Sequence, residues 1–186
     1  MVRGRWREEE SSHSNLFHLN KFLRRNCKKI LQENVLTPTQ INTFTQLTQC
    51  YEHHTSYSVL TGIFVTALIR ASHRAKYNHF YLDVRPLKSL SALCEGLAVN
   101  TNFHIKVVGE VGGSFGYNSY NGKFSVDKAG DNAGTFSKRG SFYIQEMGDY
   151  CGSESRSSYF YVKKTGNCYS SHAKYSRFFL QDIQVL

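Results

Sequence analysis

Apolar residues recur at helical spacing in three segments of the first 76 residues. These segments cover residues 15–34, 38–52 and 56–72. In each of them the apolar side chains fall on one stripe, which is typical of an amphipathic helix packed against a core. The sequence therefore predicts three helices at the front of the chain.

The second of these helices has the clearest start signals. Thr37 suits the N-cap, Pro38 suits the first helical position, and Gln40 completes a capping box with Thr37. We expect this helix to begin at Pro38.

Residues 77–110 predict a strand, a helix and a second strand. Apolar and polar residues alternate over 79–84 and again over 103–107, as in half-buried strands. Between them, Pro86 opens a leucine-rich stripe that predicts a helix ending near Ala98. We interpret the segment as a β-α-β passage, whose crossover would be right-handed if both strands join one sheet in parallel.

From Gly109 onward, frequent glycines separate short runs with the composition of strands. The runs lie at residues 123–127, 141–147, 158–164 and 174–185. Asn121-Gly122 and Asp131-Asn132 are typical of hairpin turns, so we expect an antiparallel meander whose last strand is buried on both sides. No internal repeat of fixed period is predicted.

Together these elements predict an α+β fold with three N-terminal helices, one β-α-β passage and then an antiparallel β-sheet. Residues 1–13 are expected to form a flexible tail. Residues 14–186 are expected to form one domain, with a helical part over 14–76 and a β-rich part over 77–186.

The charge of the chain points to an acidic partner. The 186 residues carry a net charge of +9, and residues 1–88 hold 13 Lys and Arg against 6 Asp and Glu. An excess of positive charge favours binding to nucleic acid, an anionic surface or an acidic protein. The candidate partner-binding face lies on the first predicted helix and consists of Lys21, Arg24, Arg25, Lys28 and Lys29. The alternative is that this face is only solvated.

The five cysteines favour a reducing compartment, because their number is odd and their spacing is irregular. The N-terminus shows no secretory signal, and no stretch is long and apolar enough to span a membrane. We therefore expect a protein that is cytoplasmic or delivered into a host cytosol. Cys168 and His172 lack the second ligand pair of a zinc site, so neither a metal nor a cofactor is predicted.

Two cysteine–histidine pairs are candidates for nucleophilic catalysis, which needs a thiolate and a nearby base. In the first pair Cys151 precedes a glycine, Gln145 stands six residues before it, and His79 precedes an aromatic residue on a strand. This order resembles the adenain-like clan of desumoylating proteases and bacterial acetyltransferase effectors. The resemblance implies a cysteine hydrolase or acyltransferase, although the polar residues 153–158 replace the apolar helix that follows the cysteine in that clan.

In the second pair Cys94 follows Leu90-Ser91, and His104 lies on the next predicted strand. This arrangement is similar to that of toxin deamidases, without the glycine that those enzymes carry before the cysteine. The alternative is that Cys94 is a buried core residue, which is a common role for cysteine.

Three hypotheses about function follow. The first is a basic interaction module that binds an acidic protein or nucleic acid, although no RNA-recognition or KH motif is present. The second is a small, effector-like cysteine enzyme that uses Cys151 or Cys94 with His79 or His104. The third is a structural subunit of an assembly that docks through an exposed aromatic sheet.

Overall fold

The computed structural model describes residue 31 and residues 34–180. The helix predicted over 15–34, and with it the candidate face from Lys21 to Lys29, therefore lies outside the described residues, apart from positions 31 and 34. The described chain forms two α-helices with a short 3-10 helix between them, followed by six strands.

Helix α1 (Pro38–Leu47) begins at the predicted capping box. Thr37 Oγ1 accepts from the Gln40 N–H at 3.3 Å, and Gln40 Oε1 accepts from the Thr37 N–H at 2.9 Å. A 3-10 helix (Thr48–Tyr51) and helix α2 (Tyr57–Arg74) follow. Two predicted helices are thus confirmed, and no helix among the described residues is long and apolar enough to cross a membrane.

The six strands form one sheet in which every neighbouring pair is parallel, and the chain winds through it as a β-solenoid. The predicted α+β fold with an antiparallel sheet is therefore wrong. Hydrogen bonding joins the strands in chain order. They are β1 (His79–Asp83), β2 (His104–Val111), β3 (Lys123–Ala129), β4 (Ser141–Met147), β5 (Tyr159–Thr165) and β6 (Arg177–Leu180).

An 18-residue repeat produces the solenoid, and the expectation that no repeat is present is wrong. Lys123 aligns with Ser141, Ser141 with Tyr159, and Tyr159 with Arg177. One residue later, each coil places a phenylalanine in the interior. The rings of Phe124, Phe142, Phe160 and Phe178 stack with centroids 5.0, 4.8 and 4.6 Å apart. Stacking of equivalent residues on neighbouring coils builds a continuous core, as in other repeat architectures.

The glycine-rich segments turn the chain from one coil into the next instead of forming hairpins. Asp131 Oδ1 accepts from the Asp149 N–H at 2.8 Å, and Asp149 Oδ1 accepts from the Asn167 N–H at 2.6 Å. These bonds run between equivalent positions of successive coils. Gly134, in the same turn as Asp131, has a φ of +65°, and a Cβ there would lie 2.5 Å from Phe160 Cε1. The turn therefore requires glycine both for its backbone angle and for the space beside the ring.

The helix predicted from Pro86 to Ala98 is absent, and a turn of the first coil stands in its place. Ala92, Cys94 and Gly96 have φ values of 58°, 64° and 58°, which are incompatible with a right-handed helix. The leucines of this segment are spaced as in a helical stripe because they fill the interior of the coil, and Leu90, Leu93 and Leu97 are fully buried. The β-α-β interpretation is therefore wrong, although β1 and β2 are parallel.

The helices pack at the β1 end of the sheet. Asn42 Oδ1 on α1 accepts from the Asp83 N–H at 2.8 Å, and Thr66 Oγ1 on α2 accepts from the Cys94 N–H at 2.7 Å. At the opposite end, Leu180 of β6 is 55% exposed. In its described part, the last strand is therefore not buried on both sides, contrary to the prediction.

Candidate functional site

Cys151 occupies the solenoid interior, at the coil position that Phe115 and Ala133 fill in the two preceding coils. Its Sγ lies 3.5 Å from Gly130 O and 3.6 Å from Asp149 O, in position to donate to either carbonyl. Burial raises the pKa of the Cys151 thiol to about 12. Such a thiol is almost entirely protonated at neutral pH, whereas nucleophilic catalysis requires the thiolate.

Cys94 is fully buried as well, and burial raises the pKa of its thiol well above the ordinary value. Gln145, on β4, donates from Nε2 to Asp127 Oδ1 at 3.5 Å. Among the described residues, neither Cys94 nor Cys151 contacts a histidine ring or accepts a hydrogen bond from one. The cysteine-enzyme hypothesis stays a prediction without a supporting contact.

The structure does bring the two candidate histidines together. His79 and His104 are register partners on β1 and β2, and their ring centroids lie 6.3 Å apart in an edge-to-face arrangement. Lys123 on β3 continues the same row. Cys168 and His172 are both exposed, and the described residues contain no group of three His, Cys, Asp or Glu side chains that could hold a metal ion.

Positive side chains line the corner of the solenoid that precedes β4, β5 and β6. Lys138, Arg156 and Lys174 pair in register through isolated parallel bridges, each 18 residues from the next. Their stacking spacing is that of neighbouring strands, about 4.8 Å. We call this corner the basic edge and define it by six exposed cations and three exposed tyrosines, which are Lys123, Lys138, Arg139, Arg156, Lys174 and Arg177 with Tyr120, Tyr159 and Tyr175.

None of the six cations of the basic edge forms a salt bridge with a described residue. Arg139 instead donates from Nη1 to the Tyr120 hydroxyl at 2.9 Å, and its guanidinium carbon lies 5.8 Å from the Tyr120 ring centroid. Tyr159 is 41% exposed and Tyr175 is 90% exposed. The edge thus offers unneutralised charge beside accessible aromatic rings.

A second in-register row lies at the other end of the same strands, and its charges alternate in sign instead of being alike. Glu110, Lys128, Glu146 and Lys164 alternate in sign from β2 to β5. Lys128 Nζ lies 3.0 Å from Glu110 Oε2. Opposite charges on adjacent strands stabilise a sheet, whereas like charges directly opposite one another destabilise it. The row of Lys138, Arg156 and Lys174 therefore carries a repulsion that the alternating row avoids.

Sequence reasoning missed the basic edge. Its cations are spread over 55 positions, from Lys123 to Arg177, and form no local cluster. The signal that identifies them is the 18-residue period, which places Lys138, Arg156 and Lys174 on one row. The face predicted from the sequence, Lys21 to Lys29, lies outside the described residues.

The fold and this site define a β-solenoid with an unneutralised basic edge. Comparison with known proteins adds no further identification, because no family model matches the chain and neither a curated protein nor a solved structure matches it significantly.

Proposed function

We propose that the protein is a basic interaction module whose basic edge binds an extended polyanion, with single-stranded nucleic acid as the best-fitting class of partner. The observation that carries the proposal is the contrast between the two charged rows of the solenoid. Like charges stacked at strand spacing reduce stability. A bound polyanion would remove that repulsion and release its own counterions.

The tyrosines favour nucleic acid over an acidic protein. Single-stranded nucleic acids bind to grooves or edges where cations follow the backbone and aromatic rings stack on bases. Tyr159 and Tyr175 are exposed. Tyr159 is the register partner of Arg177, and Tyr175 directly follows Lys174 in the chain. An acidic protein would bind to the cations but would gain little from contact with the exposed rings. The sequence also predicts a second basic face, from Lys21 to Lys29, outside the described residues.

Fluorescence anisotropy with a labelled single-stranded oligonucleotide tests the proposal. The edge variant carries Lys138→Gln, Arg156→Gln and Lys174→Gln. The matched control removes the same charge through Arg74→Gln, Lys76→Gln and Lys164→Gln, all of them exposed and outside the edge. We expect the edge variant to weaken binding, and the slope of log K against log salt to become shallower by about 2, since each phosphate contact on a single strand contributes about 0.7.

The control variant is expected to bind nearly as the unaltered protein does. Equal losses in both variants would mean that only net charge matters, and this would refute an assigned edge. A variant with all five cations of the 21–29 face changed to Gln separates the two surfaces. If that variant alone loses binding, the partner site is the predicted helix face and not the solenoid.

A further inference from the structure

A depression of about 430 Å³ lies where the first three strands begin. Its lining consists of Asn78, His79, Thr101, Asn102, His104 and Lys123. His79, His104 and Lys123 are register partners on β1, β2 and β3, so one nitrogen-bearing side chain from each strand converges on the same place. Lys123 is also the first cation of the basic edge, which continues from this point along the solenoid.

The lining is rich in hydrogen-bond donors and contains no carboxylate. Thr101 and Asn102 are exposed, and their side chains form no hydrogen bond with a described residue. The side-chain oxygen Oδ1 of Asn78 already accepts a hydrogen bond from Asn100 Nδ2 at 3.2 Å. A small oxyanion binds where hydrogen-bond donors are available and no carboxylate competes for them. Hydrogen bonds from charged donors to such an anion are short and strong.

We propose that this depression binds a phosphate-type oxyanion, either orthophosphate or a terminal phosphate monoester, through His79, His104 and Lys123. For an anion of fixed charge, binding tightens as the pH falls, because an imidazolium donates from both ring nitrogens and carries a charge that the neutral ring lacks. The inference goes beyond the basic edge and does not require it, since a single small anion would occupy the depression without a polymer.

Within the described part of the chain, the groups that act on His104 are basic. Partial burial of the ring lowers the pKa of His104, and so do His79 on β1, Lys123 on β3 and Lys106 on β2. A bound anion would oppose this lowering of the His104 pKa, because its negative charge favours the imidazolium. On α2, His73 Nε2 accepts from the Asn100 N–H at 3.4 Å.

NMR titration of the histidine side chains with inorganic phosphate tests the proposal directly. Spectra are recorded from pH 8 to pH 5.5, with and without phosphate at constant ionic strength. We expect phosphate to shift the imidazole resonances of both His79 and His104 and to leave those of the exposed His172 unchanged. Lys123→Gln should weaken phosphate binding by about tenfold or more, the usual effect of losing one charge-assisted hydrogen bond.

His104→Gln should weaken phosphate binding more at pH 5.5 than at pH 8, while His172→Gln should leave binding unchanged at both pH values; circular dichroism verifies that both variants are folded. The proposal is refuted if His79 and His104 respond to phosphate no more than His172 does. It is also refuted if micromolar Zn²⁺ perturbs the two rings while millimolar phosphate does not, because the depression would then be a two-histidine metal site.

Oligonucleotides with and without a 5′-phosphate distinguish the two sources of the anion. Tighter binding of the phosphorylated strand, lost in His104→Gln, would identify a terminal phosphate monoester. Equal binding of both strands, together with a response to inorganic phosphate, would identify free phosphate. Failure of the edge variant to weaken oligonucleotide binding would refute the proposed function and leave this site untouched, so the two proposals fail separately.

Discussion

Phe142 and Phe160 stack face to face in the solenoid interior, with ring centroids 4.8 Å apart and planes within 6° of parallel. Both rings are fully buried. Phe124 extends the stack on one side and Phe178 on the other. Because each ring contacts the ring of the next coil, the stack couples the coils to one another. This is the nearest-neighbour coupling that makes a repeat structure cooperative.

Phe142→Ala is therefore expected to reduce the free energy of unfolding by about 3–5 kcal/mol, the range for deleting a buried aromatic side chain. Urea denaturation followed by circular dichroism measures the change. Tyr175→Ala is the control, because that ring is 90% exposed. It should alter stability by no more than about 0.5 kcal/mol. Similar losses in both variants would mean that the stack contributes little.

Gly148 lies where the turns of neighbouring coils approach each other closely. A Cβ at this position would lie 2.8 Å from Asp131 N and 2.9 Å from Gly130 C, both of them backbone atoms that cannot move aside. Gly148→Ala should therefore destabilise the protein by about 1–3 kcal/mol, as overpacking does. A Cβ added at Gly113, a different position of the turn, would approach only Asp131 O, at 3.2 Å. Thermal denaturation should show a clearly smaller effect for Gly113→Ala, and equal effects would contradict the close packing of the turns.

The positions of the strands could be predicted from the sequence, whereas their direction could not. Phe142 and Ile144 alternate with polar or half-buried residues in the same way whether the neighbouring strand is parallel or antiparallel. Asn121-Gly122 matched a hairpin signal because both residues have positive φ, at 56° and 85°. In the solenoid these angles turn a corner, and the Asn121 N–H donates to Lys138 O of the next coil at 2.9 Å.

The candidate site depends on register, and a sequence without a recognised period does not supply register. Arg156 and Lys174 become neighbours only once the 18-residue coil is known, and His79 meets His104 across an intervening 24 residues. The 18-residue period can nevertheless be recognised in the sequence, since phenylalanine recurs at 124, 142, 160 and 178 and glycine at 112, 130, 148 and 166. The sequence predicts a helix around Cys94 because the interior positions of a coil have nearly the same spacing as one face of a helix.

Asp149 links three coils through its backbone and its side chain. Its N–H donates to Asp131 Oδ1, and its own Oδ1 accepts from the Asn167 N–H. Asp149→Ala removes the second bond and should reduce stability by about 1–2 kcal/mol. Asp149→Asn retains an oxygen acceptor at the same place and should recover most of that loss. Urea denaturation of the two variants provides the comparison, and an Asn variant as unstable as the Ala variant would argue against the hydrogen bond.

Thiol labelling separates the exposed cysteines from the buried ones. Of the four cysteines in the described part of the chain, Cys50 and Cys168 are exposed, while Cys94 and Cys151 are buried with raised pKa values. With a neutral-pH alkylating reagent and peptide mapping, we expect the two exposed thiols to react at rates near that of glutathione. The two buried thiols should react only in denaturant. Rapid labelling of Cys151 in the folded protein would contradict its interior position and support the cysteine-enzyme hypothesis.

His104 should make the stability of the protein depend on pH in a defined direction. The pKa of its ring is lowered in the folded state by partial burial and by His79, Lys123 and Lys106, so the unfolded chain binds a proton that the folded chain resists. Stability should therefore be highest above the ordinary histidine pKa, which is about 6.5, and should decline as the pH falls below it. His104→Gln removes this proton uptake and should flatten the dependence of stability on pH between pH 7.5 and pH 5, whereas His172→Gln should not.

Added phosphate should oppose the decline in stability of the unaltered protein, because a bound anion stabilises the imidazolium of the folded state. Urea denaturation at several pH values, with and without phosphate, measures both effects. A decline of the same steepness in His104→Gln would show that another group controls the pH dependence.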